Sequence, residues 1–286
     1  MESCIATPPP DLSLDRLEEG IKHIPALSET VQRVLATLDA GDFDYEQLRR
    51  LIEQDPGLSA RLLQIANSAL YGFPGSITSV KEACRVLGVT TVRQLTLSVG
   101  VLNEFPATDE SGFDRAGFWL HCTGCGAAAR LLAPHCELDP DQAFTAGLLH
   151  DLGKLVEDVY FPRAFARVLA HRDAHECSLR EAEVAVLGFD HALIGGRLAR
   201  HWELPDDLID AIEGHHRTDA ADNPPLADLV HVADGLCRAV GIGHGGDALA
   251  PRLSAHALAR LGLDKAALKP VAQTLQKLVR DGDLLA

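Results

Sequence analysis

Ala143-Phe-Thr-Ala-Gly-Leu-Leu-His-Asp-Leu-Gly-Lys154 is the stretch on which the reading of this chain turns. Phe144, Leu148, Leu149 and Leu152 crowd it with hydrocarbon, and the spacing predicts one buried helix. His150 and Asp151 lie side by side inside it. An ionised carboxylate in such company is costly unless a counter-charge meets it. A divalent cation is one such counter-charge, because imidazole and carboxylate are both metal ligands. Ala143, Gly147, His150 and Lys154 recur at helical spacing and are expected to share one face. The small residues on that face would let a second helix approach closely. Taken alone, a His-Asp pair fits a satisfied core histidine beside a wet-rim aspartate better than it fits a metal site. The remainder of the chain tips that balance.

The chain of 286 residues has room for one large domain or two modest ones. Hydrophobic residues make up 47% and charged residues 23%, the proportions of an ordinary globular protein. Lysine plus arginine is 26 against 41 for aspartate plus glutamate, a net charge of −15, which argues against general binding to a nucleic-acid backbone. The seven cysteines are scattered and odd in number, a pattern of reduced thiols in a cytoplasmic protein. The first residues show no secretory signal, and no stretch is long and apolar enough to span a bilayer, so no membrane partner is expected.

The expected fold class is all-α: a two-lobed helical bundle with short helices in its N-terminal lobe. Residues 1–20, with Pro8-Pro9-Pro10, read as a flexible arm. Residues 21–106 read as the first lobe, about five short helices. Ser28 is a cap candidate before Val31, Val34, Leu35 and Leu38. Asp55-Pro56 starts another helix, Asn67-Ser68 is placed to bond a neighbouring loop, and Tyr71-Gly-Phe-Pro-Gly75 reads as a turn. A polar break at Ala107 to Ser111 precedes the second lobe, residues 112–286. There, a long helix from Phe113 to Ala133 carries His121. Ser178 with Glu181 is a capping box, Asp190-His191 opens a helix, and Leu226 to Val240 is a helix with Asp234 beside its apolar stripe. Gly241-Ile-Gly-His-Gly-Gly reads as a flexible loop without the lysine and helix of a phosphate cradle. Cys122 and Cys125 have zinc-like spacing but lie inside a predicted helix and read as buried thiols.

His121, His150, Asp151, His191, His215 and Asp234, with His216 more weakly, form the candidate metal site of the second lobe. Their order would close a five- or six-coordinate site, with Asp151 bridging to a second ion held by His191 and His215. Mixed nitrogen and oxygen ligation suits one or two ions of Fe, Mn, Co or Zn. Such ions activate water and clamp phosphate esters, and Lys154 is placed to meet a phosphate oxygen. His216 equally suits a helix C-terminus, where an imidazolium is favoured.

These residues resemble the HD superfamily of metal-dependent phosphohydrolases, whose pattern His…His-Asp…Asp matches His121, His150-Asp151 and Asp234. His191, His215 and His216 resemble the extra histidines of its HD-GYP branch, which hydrolyses cyclic di-GMP. After His216, however, the chain reads Arg-Thr-Asp-Ala-Ala-Asp-Asn-Pro, without the Gly-Tyr-Pro loop of that branch. A fuller resemblance, over roughly residues 20 to 240, is to the HDOD domain, an HD-related output domain. It rests on Ile24-Pro-Ala-Leu, Asp55-Pro-Gly-Leu, Leu62-Leu, Ala66-Asn-Ser-Ala, Ile77-Thr-Ser-Val and Leu87-Gly. The second lobe adds Ala146-Gly-Leu-Leu-His-Asp-Leu-Gly, Asp190-His191, Trp202-Glu-Leu-Pro and His215-His216. That resemblance implies an all-helical bacterial signalling module without turnover, whose partners are other signalling proteins or a nucleotide second messenger. The retained ligands keep a second expectation open: a metal-dependent phosphohydrolase acting on a nucleotide or cyclic dinucleotide.

Overall fold

The computed structural model describes residues 13–39, 44–68, 76–106, 108–247, 249 and 253–281. Among them every regular element is a helix and no strand occurs. The chain divides into two compact units, the larger built from Met1–Ile24 and Phe105–Ala272, the smaller from Pro25–Glu104 and Gln273–Ala286.

In the smaller unit α2 (Glu29–Asp39), α3 (Tyr45–Ile52), α4 (Pro56–Ala66) and α5 (Val80–Asn103) follow one another. Asp55 caps α4 through the Leu58 amide, with Pro56 in the first helical position, where its missing N–H costs nothing. Asn67 is tied to Ile77, its Nδ2 donating to Ile77 O and its Oδ1 accepting from Ile77 N, both at 2.8 Å. The helix expected to stop at Gly88 does so: Gly88 leaves the helical region (φ 79°, ψ 170°) and kinks α5 into two successive helices. The Tyr71–Gly75 turn lies outside the described residues.

The larger unit begins with α1 (Leu14–Lys22), and this corrects the expectation of a flexible arm over residues 1–20. Ser13 caps the helix through the Arg16 amide, and Leu17 and Ile21 are buried. The first twelve residues, including the three prolines, lie outside the described ones. The unit continues through α6 (Arg115–Leu132), a short 3-10 turn at Ala133–Cys136, α7 (Pro140–Leu149), α8 (Leu152–Tyr160), α9 (Pro162–His175) and α10 (Leu179–Leu187). It closes with α11 (His191–His201), α12 (Asp206–Gly214), α13 (Pro225–Ala239) and α14 (Ala255–Leu261); α15 (Lys265–Asp281) crosses from the larger unit into the smaller. Phe118, Phe144 and Phe165 are fully buried in the larger unit's core. Each stabilises it by about 1.5–3 kcal/mol relative to an exposed ring. No helix among the described residues is long and apolar enough to cross a membrane.

The stretch that decides the reading is not one helix. Asp139 caps α7 through the Gln142 amide, α7 ends at Leu149, and α8 starts at Leu152. His150 and Asp151 form the bend between them, so His150 and Lys154 do not continue the face of Ala143 and Gly147. The close approach expected of the small residues does occur. A Cβ on Gly147 would lie 2.6 Å from the Cys125 carbonyl oxygen, so only glycine lets α7 press its backbone onto α6.

Candidate metal centre

Because the chain bends at His150–Asp151, both side chains turn inward between α6, α11, α12 and α13. Asp151 is the hub and is fully buried. Its Oδ2 lies 3.2 Å from His150 Nε2 and 3.8 Å from His121 Nε2. Its Oδ1 lies 3.1 Å from His191 Nε2 and 3.9 Å from His215 Nε2. Asp234, on α13, places Oδ1 3.1 Å from His121 Nε2. His216, half-buried, sets its Nε2 3.0 Å from His191 Nε2. All seven residues singled out from the sequence thus converge on one region of the larger unit.

The hydrogen bonds behind the imidazoles define which nitrogen faces the centre. His150 Nδ1 lies 2.8 Å from Gly147 O and His215 Nδ1 2.7 Å from Ile212 O. A carbonyl only accepts, so both Nδ1 atoms carry the proton and both Nε2 atoms present a lone pair. Those Nε2 atoms are buried and have no hydrogen-bond partner, and Asp151 Oδ1 is likewise unsatisfied. Glu183, on α10, accepts from His191 Nδ1 at 2.6 Å and from the His191 amide at 2.8 Å. A ring nitrogen held from behind by a carbonyl or carboxylate, its other nitrogen aimed at a shared point, is the usual second layer of a metal site. The donor set therefore fits a divalent cation: buried acceptors without donors are costly, and an ion would satisfy them together.

Three groups of side chains have ligand atoms mutually within 4.8 Å: His121, Cys125, His150 and Asp234; His191, His215 and His216; and Cys122, His150 and Asp151. The two outer groups lie on opposite oxygens of Asp151.

Burial sets the protonation of the pocket. It holds the His215 and His216 imidazoles well below their usual range, helped by the neighbouring histidines. For Asp151, burial alone would favour the acid, but His150 and Lys154 outweigh it and hold the carboxyl well below the carboxylate range. Burial opposes charge on His121 and His191 too, yet Cys125 and Asp234 push His121 up to about 10, and Glu183 and Asp151 push His191 up to about 9.

Lys154 stands elsewhere than a phosphate contact requires. It is fully buried, and its Nζ donates to Asp151 Oδ2 at 2.6 Å and to Gly245 O at 2.7 Å. It is an internal counter-ion, one turn along α8 from the carboxylate it neutralises. Arg238 does the same for Asp234, its Nε reaching Oδ1 at 2.7 Å.

The glycine-rich loop 241–247 is the element sequence reasoning missed. It lies directly on the centre: a Cβ on Gly245 would be 2.7 Å from His121 Cδ2 and 2.9 Å from Asp151 Oδ2. Lys154 holds Gly245 O and Arg172 holds Gly246 O. Asp247 bonds Arg238 at 2.9 Å and the Leu179 amide at 2.9 Å, and His244 N reaches Gly117 O. Nothing in seven residues rich in glycine signals this; only the histidine and aspartate beneath them do. Glu183 and Arg238 were also missed, since a second-layer acid or an internal cation carries no spacing signature.

Fold and site together define an all-helical protein with a buried histidine–aspartate pocket. The HDOD domain family matches residues 24–218, and the chain belongs to that family. It is 26% identical to the crystal structure of a proposed phosphohydrolase from Shewanella amazonensis SB2B, with a TM-score of 0.74 over 94% of this chain and 96% of that one. It is 25% identical to a proposed signal transduction protein from Marinobacter aquaeolei VT8, TM-score 0.74, over 95% of this chain and 63% of that one. An uncharacterised protein of Treponema pallidum (strain Nichols) is 27% identical over 225 residues, 76% of this chain and 43% of its own length. The chain spans less than half the length of the curated relatives it matches.

Proposed function

We propose that this chain is a regulatory output module of signal transduction, whose buried histidine–aspartate pocket holds a divalent metal as a structural tie and does not turn over a substrate. The observation that carries this reading is the roof. Loop 241–247 rests on His121 and Asp151 with no space for even one added methyl at Gly245, and Lys154 spans from the hub carboxylate to that roof. A phosphate ester would have to displace both to meet an ion beneath. His121, His150, Asp151, His191, His215 and Asp234 would hold the metal, with His216 at its edge. When bound, the ion supplies a compensating charge for buried acceptors and Lewis acidity toward any ester that reached it. Similarity to a proposed signal transduction protein supports the regulatory reading. The partners of such a module would be other signalling proteins or a nucleotide second messenger met on its outer surface.

Similarity to a proposed phosphohydrolase defines the rival outcome. The test is metal analysis of purified protein, followed by assays on cyclic di-GMP and bis-p-nitrophenyl phosphate. Metal-loaded protein without turnover is the expected result. Hydrolysis that disappears in Asp151→Ala would overturn the regulatory reading in favour of a hydrolase.

A further inference from the structure

Cys125 stands one helical turn after His121 on α6, so both side chains leave the helix on the same face. Its Sγ lies 3.5 Å from His121 Nε2. The thiol is fully buried, and it belongs to the group in which His121, His150 and Asp234 each offer a ligand atom within 4.8 Å. Into the same group points His150 Nε2, fully buried, carrying a lone pair and lacking any partner. A buried cysteine alone is usually a small hydrophobic filler. Here the sulfur is placed against two imidazoles and a carboxylate, an arrangement that packing alone does not require.

We propose that Cys125 is a metal ligand, adding a sulfur donor beside His121, His150 and Asp234 on the Asp151 Oδ2 side of the pocket, so that the site selects a thiophilic ion such as zinc over magnesium or manganese. The inference rests on the metal-holding pocket proposed above and adds to it a ligand outside the histidine and aspartate set. Four-coordinate ligation by nitrogen, sulfur and oxygen is a normal zinc arrangement. A thiolate shifts preference toward zinc, cobalt and iron and away from the hard cations that carboxylates alone would accept. On binding, the Sγ–H bond breaks, its proton passes to solvent buffer, and the Sγ electron pair forms the metal bond. Arg238 stays on Asp234 and offsets the negative charge that the thiolate brings to this side of the pocket.

The test loads the metal-free full-length protein with cobalt(II) and reads the near-ultraviolet thiolate-to-cobalt charge-transfer band. Wild type is expected to show the band, Cys125→Ser to lose it, and Cys122→Ser and Cys237→Ser to keep it. Zinc affinity should fall in Cys125→Ser by at least the roughly 10- to 100-fold that loss of an outer-layer partner costs. Cys125→Ala serves alongside, and unchanged far-ultraviolet circular dichroism shows that either variant folds. Bound cobalt without a charge-transfer band overturns the proposal and leaves the metal pocket standing. A band lost only in Cys122→Ser also overturns it, because the sulfur ligand would then be Cys122, which shares a group with His150 and Asp151. Protein that takes up no cobalt at all defeats the metal pocket itself.

Discussion

Lys154→Met should separate what the internal ammonium does from what a metal does. The side chain is fully buried, 2.6 Å from Asp151 Oδ2 and 2.7 Å from Gly245 O. Methionine keeps most of the volume and removes only the charge and its donors. Breaking a buried ion pair by removing one partner costs about 3–5 kcal/mol. The lost bond to Gly245 O is contained in that range, and His191 still faces Asp151 Oδ1 at 3.1 Å, which favours the lower end. A unit of this size loses roughly 2–4 °C in Tm per kcal/mol, so the metal-free variant should melt about 6–20 °C below wild type. Both tryptophans, Trp119 and Trp202, lie in the larger unit, so their fluorescence follows its unfolding alone. Saturating zinc should then close most of the gap, because the ion takes over as the counter-charge of Asp151 and binding to the folded state alone adds stability. A metal-free Tm within about 2 °C of wild type, where 3–5 kcal/mol predicts more, would refute the counter-ion role. An equal deficit with and without zinc would refute the claim that ammonium and ion serve one carboxylate.

The roof, the second layer and the buried acid pair give three further tests. Gly245→Ala places a methyl 2.7 Å from His121 Cδ2; overpacking of this kind costs about 1–3 kcal/mol, and zinc bound per chain should fall, whereas unchanged stability and stoichiometry would show that the loop is slack. Glu183→Gln weakens the acceptor behind His191, so zinc affinity by calorimetry should drop about 10- to 100-fold; an unchanged value would make Glu183 a bystander. Glu157 is fully buried beside Glu183, no donor reaches either of its oxygens, and burial pushes its carboxyl well above the usual range. With the folded value raised, its contribution is whole below the unfolded value of about 4.3 and is lost as pH climbs through the folded one. Glu157→Gln should therefore be more stable than wild type at pH above neutrality and lose that advantage in acid; denaturant midpoints across pH that run parallel for the two proteins would contradict it.

The helices and their caps were legible because each depends on a few neighbours in sequence. Asp55-Pro56 and Ser178 with Glu181 both cap where their residue types predict, since a side-chain oxygen needs only an amide two or three residues on. The bend at His150–Asp151 was not legible. Leu148, Leu149 and Leu152 continue the apolar helical rhythm across it, and no proline or glycine stands at the break. What accompanies it is tertiary: at the bend both side chains face the histidines of α6, α11 and α12. The clustering of these histidines and aspartates could be read because imidazole and carboxylate in hydrocarbon need a partner wherever they are. The partner already present could not, for Lys154 looks the same in sequence whether it meets a substrate phosphate or Asp151. The same limit applies with most consequence to residues 241–247. Four glycines in seven positions read as freedom, yet here the missing side chains are what let the backbone lie against His121 and Asp151 and be fastened there by Lys154, Arg172 and Arg238. A ligand pattern alone therefore argues for chemistry, and the closure of the space above it argues for a module that binds and does not turn over; the second depends on a loop whose composition, read alone, points the other way.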